Sequence, residues 1–282
     1  MNRREIAAET LSVIRAGGYQ RPSGAPVDFR AALAAAQRGT ELYTPAQSEA
    51  AVAAVTFASC TTTIEVTAET TCAAAQRLAT TGVANVAALN FASAKNPGGG
   101  FLSGAKAQEE DLSLCSALYA CQLKAPAYYA ANRACGSLLY TDHIIYSPGV
   151  PFFRDDSLAL LDVPYLCSVI TAPAPNAGEH VRRSPGGEAE IIATLERRAA
   201  QVLAIAVAQK HRNLILGAWG CGVFRNSPAL VAQVFANLLR GTYCGAFEHV
   251  VFAIYDRSRE GATIAAFRRE FTAATLGKRN AH

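Results

Sequence analysis

The most informative stretch of this sequence lies at residues 90–110 and reads NFASAKNPGGGFLSGAKAQEE. Its three consecutive glycines leave no side chains in the way, so backbone N–H groups can approach a sugar or a phosphate closely. After a seven-residue spacer, Gln108 precedes two carboxylates, Glu109 and Glu110, where a helix pattern begins. Each half alone is commonly structural, because helix starts often carry Glu and glycine runs often form turns.

A second glycine-rich stretch follows the apolar segment 214–216 and reads GAWGCGVFRNSP from Gly217 to Pro228. Three glycines before a helix that starts near Pro228 can hold a diphosphate on backbone N–H groups. No Gly-Lys-Ser/Thr follows, which excludes a Walker loop, and the order of the glycines does not fit a dinucleotide fingerprint. Phe224 is either a residue that stacks on a ligand ring or a core residue.

Short apolar segments alternate with helical patterns along most of the chain. The patterns predict strands at 64–67, 83–91, 143–146, 165–170, 214–216 and 250–255. They predict helices at 3–16, 73–78, 108–121, 188–210, 229–239 and 262–271. Such alternation indicates an α/β domain whose sheet is covered on both faces and whose ligands bind at the strand ends.

The N-terminal residues differ in their sequence pattern from the rest of the chain. Ile6, Leu11 and Ile14 are the candidate inward positions of the first helix, which Gly17 and Gly18 end. Turns and short β-like pieces are expected at 19–48, and an exposed loop at 178–187. We therefore expect residues 1–50 to be an extension packed on a main domain of residues 51–282.

Length, charge, cysteine content and apolar runs restrict the class of protein to which the chain can belong. A length of 282 residues suits one large domain or two small ones. The net charge of +4 is mild and the basic residues are scattered, so a dedicated nucleic-acid groove is not indicated. The eight cysteines form no C-x-x-C pair and no zinc-like cluster, which favours buried free thiols in a reducing cytoplasm. No apolar run is long enough for a membrane span, so a soluble protein is expected.

Together, the two glycine-rich stretches and the acid pair resemble the poly(ADP-ribose) glycohydrolases, and the chain is similar to their compact microbial branch. The glycine triplet, the seven-residue spacer and Gln-Glu-Glu are the signature of that family. The resemblance extends to residues 4–11, 174–176 and 217–224. It implies a macrodomain-like three-layer α/β/α fold with a mixed, mainly parallel sheet and an N-terminal helical extension. It also implies ADP-ribose binding across the strand ends, without metal or cofactor.

The resemblance implies roles for individual residues. Glu110 would be the general acid/base of a glycoside hydrolase that cleaves ribose–ribose bonds of poly(ADP-ribose) and releases ADP-ribose. Glu109 would hold the ribose hydroxyls, and the pair should raise the pKa of one of its members. Further candidates for substrate binding are Asn96, Gly98, Gly99, Gly100, Gln108, Gly220, Cys221, Gly222, Val223 and Phe224, with Glu69 and Thr70 placed near adenine.

Other functions stay open at this point. The chain could be a hydrolase of mono-ADP-ribosyl conjugates, a non-catalytic ADP-ribose reader, or a domain that binds another phosphate compound. An intact Gln-Glu-Glu favours hydrolysis, because a reader has no use for a general acid. Cys221 is disfavoured as a nucleophile, since no nearby histidine is identifiable. The expected partners are ADP-ribose or its polymer on modified proteins or nucleic acid, with no membrane and a monomeric state by default.

Overall fold

The computed structural model describes residues 1–21, 24–256 and 260–271 and the backbone of a short strand at 275–276. The strands in these residues are β1 (Gly18–Gln20), β2 (Pro26–Asp28), β3 (Glu41–Tyr43), β4 (Thr62–Thr67), β5 (Val86–Phe91), β6 (Ile144–Arg154), β7 (Leu160–Ala172), β8 (Asn213–Leu216), β9 (His249–Ala253) and β10 (Thr275–Leu276). The helices there are α1 (Arg3–Ala16), α2 (Arg30–Arg38), α3 (Pro45–Ala53), α4 (Thr71–Thr80), α5 (Gln108–Cys115), α6 (Leu118–Gln122), α7 (Pro126–Ala134), α8 (Ala177–Arg183), α9 (Glu188–Ala208), α10 (Pro228–Arg240) and α11 (Ala262–Phe271).

One mixed sheet organises the molecule, in the strand order β10-β4-β9-β8-β5-β7-β6-β3. The five central strands from β4 to β7 pair in parallel, whereas β10, β6 and β3 run antiparallel to their neighbours. The predicted mixed, mainly parallel sheet is confirmed. Strands β1 and β2 form a separate antiparallel pair.

Successive side chains of a strand point to opposite faces of the sheet, and both faces contribute to hydrophobic cores. In β9, Val250 and Phe252 join the core beneath α9, α10 and α11. Val251, between them, joins the core beneath α1, α2, α4, α5 and α6. Helices thus cover both faces, which confirms the predicted three-layer α/β/α arrangement.

The N-terminal helix has its predicted bounds and ends at Gly17, whose φ of 64° places it in the left-handed region. Of the predicted inward residues, Ile14 is buried, whereas Ile6 and Leu11 are half-buried against a small cluster around Phe101. Residues 19–48 are more regular than expected, since they contain α2 and the start of α3.

Strand β3 of this N-terminal part pairs with β6 and so belongs to the main sheet. The domain boundary near residue 50 stays a prediction. The predicted domain 51–282 also includes residues 257–259, 272–274 and 277–282, which lie outside the described residues.

Two elements differ from the expectation. The predicted helix 108–121 is interrupted at Ser116, whose backbone forms a bridge with Phe152 of β6. The predicted exposed loop 178–187 begins as α8, which Asn176 caps by accepting a hydrogen bond from the Glu179 amide. Both differences depend on contacts between distant parts of the chain, which local periodicity does not report.

The cysteines are all free. Cys72, Cys115, Cys121 and Cys167 are buried as predicted, whereas Cys135 is exposed. The described part of the chain contains no helix that is long and apolar enough to cross a membrane.

Candidate active site

The two glycine-rich stretches meet at the carboxyl ends of neighbouring parallel strands. β5 leads into residues 92–107, which we call the first glycine loop, and β8 leads into residues 217–227, the second glycine loop. Since β5 and β8 pair in parallel, both loops leave the same edge of the sheet. This is the position where open α/β sheets bind ligands.

The first turn of α5 carries the acid pair, and Glu109 is almost wholly buried there. Its Oε1 accepts hydrogen bonds from Asn90 Nδ2 at 3.1 Å and from Gln122 Nε2 at 2.8 Å. Its Oε2 accepts from the Ser93 amide at 2.6 Å. Three donors from three segments therefore fix this carboxylate.

Burial raises the pKa of Glu109 to about 7, because desolvation penalises the charged form. Hydrogen bonds from Ser93, Asn90 and Gln122 act in the opposite direction and lower it, while the negative charge of Glu110 adds a smaller rise. The member of the pair with the raised pKa is Glu109, which the resemblance assigns to the ribose hydroxyls rather than to proton transfer. The main cause is burial rather than the neighbouring charge.

Glu110 lies against the glycine triplet. Its Oε1 accepts a hydrogen bond from the Gly100 amide at 2.8 Å. A Cβ atom added to Gly99 would lie 2.3 Å from the same oxygen, and the φ of Gly99 is 59°. Glycine is required at this position by both the close approach and the backbone conformation.

The triplet amides are not open to a phosphate, contrary to the reasoning from sequence. Gly98 donates to Gln122 Oε1 at 2.8 Å, Gly99 to the Asn96 carbonyl at 3.0 Å, and Gly100 to Glu110. The triplet instead binds the acid pair to the loop. The Asn96 side chain is exposed and has no hydrogen-bond partner within the described residues, so it is free to meet a ligand.

The Gln108 side chain makes three hydrogen bonds within the protein. Its Oε1 accepts from the Phe91 amide at 2.8 Å, and its Nε2 donates to the Leu89 carbonyl at 2.8 Å and to Thr71 Oγ1 at 3.1 Å. Both amide hydrogens are used, so the side chain can offer a ligand only an acceptor. Its contacts fasten α5 to β5 and α4.

The second glycine loop is anchored by Trp219 and Asn226, which sequence reasoning did not single out. Trp219 is fully buried and its Nε1 donates to the Ala172 carbonyl at 3.1 Å. Asn226 Nδ2 donates to the carbonyls of Pro175 at 2.9 Å and Gly220 at 3.1 Å. A single Asn before a helix start gives no sequence signal for such a role.

Several amides of this loop are available to an anion. The Cys221 amide donates to the Ala218 carbonyl at 3.1 Å, so it is not among them. The amides of Gly220, Gly222, Val223 and Phe224 have no acceptor in the described chain. Clustered free N–H groups near the start of α10 suit a phosphate.

Phe224 is half-buried and has the core contacts of one of the two readings that sequence reasoning left open, while stacking on a ligand ring stays a prediction. It packs against the core, and its ring lies 5.9 Å from the ring of Tyr140. Its carbonyl accepts from the Gly178 amide at 3.0 Å, which joins the loop to α8.

The two residues assigned to adenine have partners within the protein. Glu69 forms an ion pair with Arg77 at 2.7 Å. Thr70 caps α4 by accepting from the Ala73 amide at 3.1 Å, and its hydroxyl donates to Asp156. Thr70 also lines a cleft of about 210 Å³, together with Lys106, Asp156 and Tyr255, whereas Glu69 does not.

Across residues 1–21, 24–256 and 260–271, no group of three or more His, Cys, Asp or Glu side chains could hold a metal ion.

Comparisons with known proteins agree with this geometry. Residues 7–155 match the family described as microbial-type PARG, catalytic domain. The structure of poly(ADP-ribose) glycohydrolase from Thermomonospora curvata matches with a TM-score of 0.90 and 50% identity, covering 95% of this chain and 99% of that chain. The same protein bound to the inhibitor ADP-HPD gives a TM-score of 0.89, 49% identity and the same coverage.

The glycohydrolase from Deinococcus radiodurans in complex with ADP-ribose matches with a TM-score of 0.80 and 52% identity, covering 85% of this chain and 97% of that chain. A search of curated proteins gave no significant match. The signature residues, the fold and the extent of these matches lead to one conclusion: the chain belongs to the microbial-type poly(ADP-ribose) glycohydrolase family.

Proposed function

We propose that this protein hydrolyses the ribose–ribose O-glycosidic bonds of poly(ADP-ribose) and releases ADP-ribose. The observation that carries the proposal is the placement of Glu110, whose carboxylate is held by the Gly100 amide at the carboxyl edge of the sheet. Two similar structures contain ADP-ribose and ADP-HPD, which supports an ADP-ribose site here.

Glu110 would act as the general acid/base of this reaction. In its protonated form it gives a proton to the departing ribose oxygen as the anomeric C–O bond breaks through an oxocarbenium-like transition state. The resulting carboxylate then takes a proton from the water whose oxygen bonds to the anomeric carbon. Glu110 ends the cycle protonated, and no other reactant is needed.

Glu109 suits the recognition of ribose. Its carboxylate is held rigidly by Asn90, Ser93 and Gln122, so a ribose hydroxyl that donates to it meets a fixed acceptor. Gly99, Gly100 and Asn96 would border the same ribose. Fixed geometry of this kind favours catalysis because little reorganisation is left for the reaction step.

The second glycine loop suits the diphosphate. The free amides of Gly220, Gly222, Val223 and Phe224 would donate to its oxygens, and the Phe224 ring would pack against the terminal ribose. Thr70, in the neighbouring cleft, is the better candidate for the adenosine end. We further infer that the protein works as a cytoplasmic monomer on ADP-ribosyl chains attached to proteins or nucleic acid, without metal or cofactor.

Replacement of Glu110 tests the proposal. Glu110→Gln should slow ADP-ribose release from the polymer by about 10²–10⁴-fold, the usual contribution of a general acid/base. Binding of ADP-ribose should be retained, because the amide has nearly the same shape. The matched control is Glu188→Gln, at the exposed start of α9, which should leave turnover unchanged.

The substrate series decides among the alternatives. The parent protein and both variants are incubated with polymer and with mono-ADP-ribosylated protein, and released ADP-ribose is measured. Tight ADP-ribose binding with no release from either substrate would show a reader, and release from the mono-ADP-ribosylated protein alone would show the other hydrolase.

A further inference from the structure

Gln122 lies beneath the site and contacts both of its parts. The side chain is fully buried. Its Oε1 accepts from the Gly98 amide at 2.8 Å, and its Nε2 donates to Glu109 Oε1 at 2.8 Å. One amide group thus joins the glycine triplet to the acid pair.

The interruption between α5 and α6 is what brings Gln122 to this place. Glu109 and Gln122 are 13 residues apart, and a continuous helix would separate them by about 20 Å along its axis. At the interruption, Ser116 Oγ donates to the Leu112 carbonyl at 2.7 Å and accepts from the Leu118 amide at 3.1 Å. The chain then turns back, and the end of α6 meets the start of α5.

We infer that Gln122 is a positioning residue whose amide holds the Glu109 carboxylate in the form and orientation that accept ribose hydroxyls, and fixes Gly98 beside it. The inference rests on the proposed function, since it specifies how the ribose end of that site is prepared. An uncharged amide suits both contacts, because it offers a donor and an acceptor at once. Glutamate would place a second negative charge against Glu109, and methionine would remove both hydrogen bonds.

The tyrosines that face Glu109 stay neutral over the pH range in which Glu109 titrates, so they do not obscure its titration. Glu110 lies beside it on α5, and Tyr128 and Tyr129 face it from α7. Burial, and to a smaller extent the charge of Glu109, keep the pKa of both tyrosines far above the ordinary value, so they remain neutral in any assay below pH 9. The charge of Arg198 on α9 acts on Tyr128 and lowers the pKa of that residue.

Because Gln122 donates a hydrogen bond to Glu109, its replacement should shift the pKa of Glu109 in a definite direction. The Gln122 hydrogen bond lowers the pKa of Glu109, so its removal raises that pKa further above about 7. The carboxylate form then appears only at higher pH. Binding of ADP-ribose should weaken most near and below neutral pH and recover as the pH rises.

The experiment measures the Kd of ADP-ribose by calorimetry from pH 5 to pH 9. For the parent protein, affinity should rise as the pH passes through about 7. For Gln122→Met, the midpoint should move up by roughly one unit, with about tenfold weaker binding below it and little loss at pH 9, as expected for a lost bond to a charged group. Gln122→Glu should move the midpoint at least as far, and it serves if the methionine variant does not fold.

The matched control is Gln201→Met. Gln201 on α9 is equally buried but neither of its side-chain polar atoms has a partner, so the midpoint should stay that of the parent protein. Binding that is weaker by one factor at every pH in both Gln122 variants would overturn the inference, as would a parent protein whose affinity does not vary with pH. A parent protein that does not bind ADP-ribose would instead refute the proposed function.

Discussion

Gly99 is a residue of the site at which two separate constraints exclude a side chain. Its amide donates to Asn96, its φ is 59°, and the space beside its Cα is filled by the carboxylate of Glu110. Backbone conformation and contact with Glu110 thus both require glycine here. The two constraints can be separated by measurement.

Gly99→Ala should reduce turnover by more than tenfold, because the new methyl group would lie 2.3 Å from Glu110 Oε1 and must displace it. Gly136→Ala is the matched control, with a φ of 65° and no atom within 4 Å of its added Cβ. Both variants should lose about 1–2 kcal/mol through the left-handed backbone. Steady-state kinetics and denaturant unfolding separate the two effects, and an equal loss of turnover in both variants would contradict this explanation.

At the scale of residues, sequence reasoning located the acid pair but not what holds it. Glu109 and Glu110 are marked by local spacing, which is readable. Asn90, Ser93 and Gln122 contact Glu109 only because the chain folds back, and a lone amide or hydroxyl carries no periodic signal. For the same reason the sequence did not show that the Gln108 amide fastens α5 to β5 and α4.

Among the helices, α1 contacts the first glycine loop, a role that its sequence did not reveal. Arg3 Nε donates to the Ala105 carbonyl at 3.1 Å, and its Nη2 pairs with Asp111 at 2.6 Å. Arg4 Nε donates to the Ser103 carbonyl at 2.7 Å. The start of α1 therefore holds the part of the first glycine loop that connects the triplet to the acid pair.

Combined replacement of Arg3 and Arg4 by alanine should loosen this loop. We expect turnover to fall by roughly tenfold to hundredfold, as small misplacements of reacting groups do, with only a modest loss of stability because a half-buried ion pair at the protein surface contributes little. Arg15→Ala, at the exposed other end of the same helix, is the control. In limited proteolysis, only the double variant should be cut faster within residues 102–107. An unchanged cleavage rate would contradict the role of Arg3 and Arg4 in holding this loop.

The elements themselves were predictable where apolar periodicity is strong. The long helices α9, α10 and α11 and the central strands lie within a few residues of their predicted positions. Helix α2 was missed because its buried face consists of Leu33 and Ala36 among alanines, which gives a weak pattern. The interruption at Ser116 depends on pairing with Phe152, a contact that no local window contains.

At the scale of the whole molecule, the N-terminal part and the remainder should unfold together. Strand β3 pairs with β6, and α1 is tied to the first glycine loop through Arg3. We expect one cooperative transition, in which hydrogen-exchange protection of α1 and fluorescence of the single tryptophan, Trp219, are lost at the same denaturant concentration. Earlier loss of protection in residues 1–50 would show that this part is a separate unit.

The layers were predictable from alternation, but the strand order was not. Periodicity shows that each strand is buried, and it does not show which strand is its neighbour. The position of β4 between β9 and β10 places an early strand next to the two last ones. The likeness to a known family implied the mixed sheet that the residues alone left undetermined.

That position of β4 affects how the protein is made on the ribosome. Its partner contact between Glu65 and His249 spans 184 residues, so β4 emerges long before its parallel neighbour is synthesised. Ile64 and Val66 lack their partner strand β9 until most of the chain has been translated. Non-local parallel pairing is slow and leaves apolar edges open to aggregation. Chaperone capacity and translation speed, rather than final stability, should therefore limit the yield of this protein in a cell.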